Sequence, residues 1–289
     1  MNFNTIRLVL LSCIALVSAT AFAQQDFQGK AYYHSKTAVD MSNFGRPDMP
    51  EEAKHRMQAR MKSMFEKTYV LTFNKTESIY KEEEKLAAPN QGGGGRFSGM
   101  MSSFTAGPQY KNVKEELLLQ DQEFFGKQFL IKDPLKKFDW VMSGETKQIG
   151  KYMCFKATAK KTVTDFDVSS FGRPPGRDPE DAKKEEEKKD EEPKEVVVEA
   201  WYTMQIPVNQ GPAEYWGLPG LILELSSDKT TILCSKIVLN PTEKDHIKRP
   251  SKGKEVTKEA YNKIVKKKTA EMRENFRSRG GRPGGGRGR

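Results

Sequence analysis

The feature that most constrains the fold is a series of short strand-like segments between residues 111 and 166. Aromatic and β-branched residues are frequent in these segments, and turn-forming residues separate them, among them Gly126, Asp133-Pro134 and Ser143-Gly144. Runs of this kind at this spacing are typical of an antiparallel meander. The predicted strands are 111–120, 124–132, 138–142 and 150–163.

Similar patterns occur on both sides of this series. Residues 27–39 and 68–80 carry the aromatic and β-branched residues of strands, and so do residues 196–203. Residues 221–225 are almost wholly apolar, which predicts a central strand covered on both faces, with Glu224 needing a partner or an opening.

Two segments have helical patterns. In residues 48–66, Asp48 and Glu51 form a capping box, and methionines fall on one face of the predicted helix. We interpret this face as a packing surface, in preference to a soft binding surface or a copper site. Val256 to Phe276 is amphipathic and could cover the 221–225 strand. Its apolar residues at a spacing of four, interrupted at Lys268, are Val256, Ala260, Ile264, Met272 and Phe276.

These patterns predict a mainly β (α+β) fold. We expect an antiparallel curved sheet or half-barrel with one or two packed amphipathic helices and low-complexity insertions, analogous to the sheet of periplasmic lipoprotein carriers.

The first residues have the order of a secretory signal. Arg7 supplies the positive charge, residues 8–17 are apolar, and Ala21-Phe22-Ala23 is a cleavage site. We therefore expect a signal peptide over 1–23 and a protein that is periplasmic or extracellular, or peripheral at the outer membrane. No later window reaches the length of a transmembrane segment.

The mature chain is interpreted as a single domain, 24–276, interrupted by low-complexity segments. Residues 86–109 are glycine-rich without the strand and helix that a phosphate loop requires, and residues 172–194 are a charged block, so we expect both to be disordered. The sequence of residues 40–47 recurs with small changes at 167–174.

The formal net charge is +10, and residues 277–289 form an RG-rich tail that we expect to be disordered. Such tails bind phosphates, but export argues against nucleic acid as the partner. Anionic lipid or lipopolysaccharide is the alternative counter-charge, and a solubilising tail that binds nothing specific is the favoured interpretation.

After removal of the signal, Cys154 and Cys234 are the remaining cysteines. Both lie in strand-like runs, so a disulfide between them and two separate buried thiols are equally open. The histidines, His34, His55 and His246, do not stand at ligand spacing with a cysteine, and we expect neither a metal site nor another cofactor.

The most specific stretch is the hexapeptide Gly217-Leu218-Pro219-Gly220-Leu221-Ile222. It follows a strand that contains Trp201 and a loop that ends in Tyr215-Trp216. Here the chain resembles the GLPGLI family, exported proteins of Bacteroidetes-type bacteria for which no activity is established. The resemblance covers residues 110–240 and implies a β-rich domain and an envelope location.

Glycines and prolines fix the backbone of this corner and hold Tyr215 and Trp216 in place. The corner could be an aromatic rim over a ligand groove or a structural staple that closes the sheet, and the staple is favoured. The residues that we expect to contact a ligand or partner are Tyr215, Trp216, Gly217, Leu218, Pro219, Gly220 and Trp201.

Motifs of hydrolases, nucleotide-binding proteins and metalloproteases are missing from the sequence, so we assign no catalytic residue and expect a non-enzymatic protein. The first hypothesis is an envelope protein that binds a lipid or another apolar ligand in a groove between sheet and helix. The alternative is an accessory or interaction protein of an outer-membrane complex. A secreted hydrolase is the least favoured.

Overall fold

The computed structural model describes residues 27–38, 50–83, 106–163, 194–243 and 245–280. This part of the chain forms twelve strands and two helices. The strands are β1 (Gln28–Thr37), β2 (Glu66–Asn74), β3 (Glu77–Glu82), β4 (Gln109–Asn112), β5 (Leu117–Phe124), β6 (Lys127–Pro134), β7 (Val141–Ile149), β8 (Tyr152–Val163), β9 (Lys194–Thr203), β10 (Leu221–Ser227), β11 (Thr230–Leu239) and β12 (Lys254–Val256). The helices are α1 (Glu51–Phe65) and α2 (Lys258–Gly280).

All twelve strands belong to one open, curved sheet in the order β12-β6-β5-β4-β3-β2-β1-β11-β10-β9-β8-β7. Neighbouring strands are antiparallel except β12, which pairs with β6 in parallel. The predicted mainly β class with an antiparallel curved sheet is confirmed.

The connection between β6 and β7 shows how strongly this sheet curls. β6 is second and β7 is twelfth in the sheet, so ten inter-strand spacings separate them. At about 4.8 Å per spacing, a flat sheet would hold them about 48 Å apart. Only residues 135–140 connect the two strands, and such a segment spans at most about 25 Å. The sheet must therefore curl until its two ends approach each other.

Two predicted strands are in fact hairpins, and both turns begin at an asparagine. Residues 68–80 divide into β2 and β3 because Asn74 Oδ1 accepts bonds from the backbone N–H groups of Thr76 (2.8 Å) and Glu77 (2.6 Å). Residues 111–120 divide into β4 and β5 where Asn112 Oδ1 accepts from Lys114 and Glu115. In each case the asparagine side chain accepts the backbone hydrogen bonds that a neighbouring strand would otherwise accept, and a turn results. The sequence prediction missed this turn signal.

The predicted strands 124–132 and 138–142 are displaced along the chain. β6 begins at Lys127, after a two-residue turn in which Phe125 and Gly126 have φ of 49° and 73°. Both positive angles suit the twist of a tight hairpin. Phe138 and Trp140 precede β7 and pack against the main hydrophobic core from the β6–β7 connection.

The C-terminal helix α2 covers a different part of the sheet from the one predicted. Tyr261 and Val265 pack on Phe124, Phe129 and Ile131 of β5 and β6, and not on β10. The most buried positions are therefore offset by one residue, about 100° around the helix, from the predicted face of Ala260, Ile264 and Met272. Ile264 of that face is partly buried and packs against the same cluster. Val256 lies outside the helix, in β12.

Strand β10 is buried as predicted. Leu221, Ile222, Leu223 and Leu225 are each at most 1% exposed. The pairing with β9 shifts between Ile222 and Glu224, so that Leu223 occupies a bulge. Glu224 finds its partner in Lys147 of β7 at 2.7 Å.

Several predictions fall wholly or partly outside the described residues. These are the signal peptide, the repeated segments 40–47 and 167–174, most of 86–109 and 172–194, the methionine side chains of α1, and the tail beyond Gly280. Two of these regions are described in part. Strand β9 begins at Lys194, the last residue of the charged block, and helix α2 continues into the predicted tail as far as Gly280.

Candidate functional site

The 204–220 loop, which joins β9 to β10, is the centre of the candidate site. It lies against the inner face of the curled sheet, the face that carries Leu71 and Ala200. Ile206, Val208 and Leu218 of the loop are at most 2% exposed and belong to the same hydrophobic core. The loop therefore fills the interior that a groove would occupy.

Two glycines of the hexapeptide are required by this path. A Cβ on Gly220 would lie 2.0 Å from the backbone oxygen of Thr203, so no larger residue fits beside the end of β9. Gly217 has φ of +95°, a conformation that L side chains rarely adopt. The motif thus encodes a tight return from the interior into β10.

Lys111 of β4 anchors the loop from across the sheet. Its side chain is fully buried, and Nζ donates to the backbone oxygens of Gly211 (2.6 Å) and Tyr215 (2.8 Å). Burial lowers the pKa of the Lys111 ammonium to about 7, although the nearby carboxylate of Glu214 opposes this shift. Lys111 therefore holds the loop with two hydrogen bonds, and the burial of its amine costs free energy.

Further hydrogen bonds attach the loop to β3 and β10. Ser78 Oγ donates to Gln210 Oε1 at 2.8 Å, and both residues are fully buried. The backbone N–H of Ile222 donates to the oxygen of Gln210 at 3.1 Å, and Tyr33 Oη donates to the oxygen of Ile222 at 2.7 Å. These bonds satisfy polar groups that would otherwise be buried without partners.

The aromatic corner closes the seam between the two ends of the sheet. Trp216 Nε1 donates to the oxygen of Lys136 at 2.7 Å, and Trp140 Nε1 donates to the oxygen of Trp216 at 2.8 Å. The ring of Tyr215 stacks on Phe138 with centroids 5.2 Å apart. Lys136, Phe138 and Trp140 all belong to the short β6–β7 connection, so the loop and this connection lock each other.

A salt bridge ties the same corner to β8. Lys161 Nζ pairs with Glu214 and also donates to Tyr215 Oη at 3.4 Å. Burial alone would lower the pKa of Lys161, but the charge of Glu214 and the bonds to Glu214 and Tyr215 raise it above its usual value. The Lys161 ammonium therefore stays charged beside the loop.

The structure brings together most of the residues proposed from the sequence. Tyr215, Trp216 and Leu218 are at most 7% exposed, with their contacts inside the protein. Trp201 belongs to the same hydrophobic core as Tyr215 and Leu218. Its ring lies on the opposite face of β9 from its strand neighbours, where Lys147 Nζ is 4.1 Å from the ring centroid. Sequence reasoning missed Lys111, since no local pattern marks a buried lysine.

Cys154 and Cys234 are free, buried thiols in the structure. Cys234 Sγ donates to the backbone oxygen of Lys236, two residues later in the chain, at 3.6 Å. Cys154 Sγ donates to the backbone oxygen of Tyr152, two residues earlier, at 3.7 Å. Burial raises the pKa of the Cys154 thiol to about 11 and that of Cys234 to about 12. A disulfide between them stays a prediction.

A notch in the sheet lies close to Cys234. β11 pairs with β10 only up to Leu233, and β8 pairs with β9 only from Phe155, because the chain turns inward at the 204–220 loop. The open space between them is a pocket of about 190 Å³. Its lining comes from the β7–β8 turn, the β10 bulge and β11: Ile149, Gly150, Lys151, Tyr152, Leu223, Cys234, Ser235, Lys236 and Ile237.

Within the part of the chain that the structure describes, no group of three or more His, Cys, Asp and Glu side chains could hold a metal ion. Neither of the two described helices is long and apolar enough to cross a membrane.

Comparison with solved structures gives a weak likeness to PNGF-II. Its structures in the C2 and P21 space groups are 12% and 13% identical to this chain, with TM-scores of 0.44 and 0.45. Each match covers 83% of this chain, which spans about a third (32% and 33%) of the matched protein. These values are too low to support an inference.

No curated protein matches the chain. A family model described as "Protein of unknown function (Porph_ging)" matches residues 140–224. This segment runs from the end of the β6–β7 connection into β10 and includes the hexapeptide and the 204–220 loop. The loop that closes the sheet is therefore part of what this chain shares with an uncharacterised family.

Proposed function

We propose that this protein is an exported, non-enzymatic interaction protein of the cell envelope. The observation that carries the proposal is that the 204–220 loop fills the interior of the sheet with the protein's own side chains. Because the interior of the sheet is filled, its outer surface is the part that is available to a partner. We also propose membership of the GLPGLI family, supported by the intact hexapeptide within the matched segment.

Strand β7 is the surface that we assign to the partner. It is the terminal strand of the sheet, and among the described residues only β8 pairs with it. Val141 is 68% exposed and Met142 is 57% exposed on this strand. Unpaired backbone groups and exposed apolar side chains on one edge suit an extended segment of another protein, which would add as a further strand.

Lipid binding in a groove between sheet and helix is the weaker proposal. Such a ligand would have to displace the 204–220 loop, and with it the bonds of Lys111 and Trp216. Tyr215 and Trp216 could line a groove only after that movement. The basic tail 277–289 and an outer-membrane location remain proposals that rest on the sequence.

Site-specific photo-cross-linking in the source organism tests the β7 proposal. A cross-linker at Met142 should capture one envelope protein, and the attachment should map to an extended segment of it. A cross-linker at Val197 is the matched control, since this residue is 61% exposed but lies on β9, which is paired on both sides.

A second measurement checks that the captured protein occupies the edge. The purified partner should slow amide hydrogen exchange within 143–149, and Val141→Asp should weaken binding while Val197→Asp does not. Equal cross-linking at both positions, or an unchanged exchange rate in β7, would rule out strand addition at this edge.

A further inference from the structure

The notch beside the hexapeptide has the composition of a small ligand site. Leu223, which directly follows the hexapeptide, contributes to the pocket with Ile149, Tyr152 and Ile237. The notch exists because β9 and β10 stop short while β8 and β11 continue. The same inward turn that closes the sheet therefore opens a pocket at its surface whose lining is partly apolar and partly polar.

Two lysines at this pocket have no carboxylate partner among the described residues. The ammonium of Lys151 lies 5.5 Å from the ring centroid of Tyr152, and that of Lys236 lies 5.0 Å from that of Tyr32. By contrast, nearby Lys147 pairs with Glu224 at 2.7 Å. Tyr152 belongs to the pocket lining, so its ring holds the Lys151 ammonium beside the pocket. Tyr32 lies on β1, outside the lining, so the Lys236 ammonium reaches the pocket by a change of side-chain rotamer. Neither aromatic contact neutralises the charge of the lysine.

We propose that this pocket binds a small amphipathic anion. The apolar part of the lining would take a hydrocarbon group, and Lys151 and Lys236 would pair with a carboxylate or phosphate attached to it. A pocket of about 190 Å³ is slightly larger than cavities of about 150 Å³ that hold benzene. The ligand part inside is therefore about six to eight carbon atoms. A free short-chain carboxylate and the end of an anionic lipid share this chemistry.

Methyl NMR of the mature protein with sodium hexanoate tests the proposal. Hexanoate should shift the methyl signals of Ile149, Leu223 and Ile237 in a saturable way. Hexanol, which lacks the charge, should bind at least tenfold more weakly, and acetate, which lacks the chain, should leave these signals unchanged. Shifts that do not saturate, or equal shifts at exposed Val197, would overturn the proposal.

Charge variants separate a built site from general attraction. Lys151→Gln with Lys236→Gln should weaken hexanoate binding at least tenfold and abolish the preference over hexanol. Lys36→Gln with Lys160→Gln removes the same charge from exposed lysines of β1 and β8 and should leave binding unchanged. Equal loss in both pairs would overturn the proposal.

Vesicle competition identifies the source of the anion. If anionic phospholipid vesicles displace hexanoate and neutral vesicles do not, the natural ligand is a membrane lipid. If neither displaces it, a free carboxylate is the ligand, and both outcomes support the site. The β7 variant Val141→Asp should not change hexanoate binding, so this site and the proposed partner surface can fail independently.

Discussion

The inner face of the sheet is covered in two different ways. At its centre the 204–220 loop packs into a large core and is bonded to the sheet through Lys111 and Ser78. At its β5–β6 end, helix α2 packs on a small separate cluster through Tyr261 and Val265. The loop uses directional hydrogen bonds and tight backbone turns, whereas the helix uses apolar contact.

The two elements therefore have different roles: the 204–220 loop closes the sheet, and helix α2 covers one end of it. The loop contacts the β6–β7 connection, which joins the two ends of the sheet, through Tyr215 and Trp216. Helix α2 contacts β5 and β6 and begins where Asp133 Oδ2 accepts from the N–H of Lys258 at 3.0 Å. Loss of the loop contacts should therefore affect the whole sheet, and loss of the helix contacts only one end.

The largest expected effect follows from removal of the aromatic corner. Tyr215→Ala and Trp216→Ala should each lower the free energy of unfolding by about 3–5 kcal/mol, because each empties a buried aromatic site. The double variant should be unfolded at room temperature if the domain has ordinary stability. Circular dichroism during thermal unfolding measures this, and a folded double variant with a near-normal melting temperature would contradict the staple interpretation.

A smaller loss is expected when the return of the loop is obstructed. Gly220→Ala places a Cβ 2.0 Å from the Thr203 oxygen, and relief of this clash should cost about 3 kcal/mol. Gly144→Ala is the matched control, because its Cβ would meet nothing within 4 Å. Urea unfolding of both variants provides the comparison, and equal midpoints would show that the tight turn is not required.

Weakening the contact between helix α2 and the β5–β6 end of the sheet should have a local effect on stability. Tyr261→Ala removes the ring that packs on Phe124 and Phe129, at centroid distances of 6.0 and 5.6 Å. We expect a loss of about 2 kcal/mol, with faster amide exchange confined to α2, β5 and β6. Equally faster exchange in β1 or β10 would mean that the helix also contributes to closure.

The smallest effect expected is a dependence of stability on pH. Because the pKa of Lys111 is about 7 in the folded protein and about 10.4 in an unfolded chain, the unfolded chain binds more protons between these values. The free energy of unfolding should rise with pH from 7 to 9, by about 1 kcal/mol per pH unit.

Lys111→Met should remove this part of the pH dependence. Lys258, whose pKa burial also lowers, remains in the variant and contributes equally to both slopes. Lys160→Met, at an exposed position on β8, should leave the slope unchanged. Urea unfolding at pH 7, 8 and 9 gives the three slopes, and identical slopes for the protein and Lys111→Met would contradict a depressed amine pKa.

The fold class and the central strand β10 could be predicted from the sequence because local composition encodes them. Hairpin positions were harder, since Asn74 and Asn112 act through side-chain bonds within strand-like runs. The closure itself was not accessible. Lys111 and Gly211 are far apart in sequence, and only the assembled sheet places the ammonium against the loop oxygen. Trp201 and Trp216 have equal burial but separate surroundings, which composition does not distinguish.

The distance between the two ends of the sheet tests closure by the loop most directly. Spin labels at Lys132→Cys on β6 and Gln148→Cys on β7, with Cys154 and Cys234 replaced by alanine, report this distance. A narrow distribution well below the flat-sheet limit of about 48 Å is expected. Trp216→Ala should make it longer and broader, and Trp201→Ala, a matched buried tryptophan outside the seam, should not. An unchanged narrow distribution in Trp216→Ala would contradict closure by the 204–220 loop.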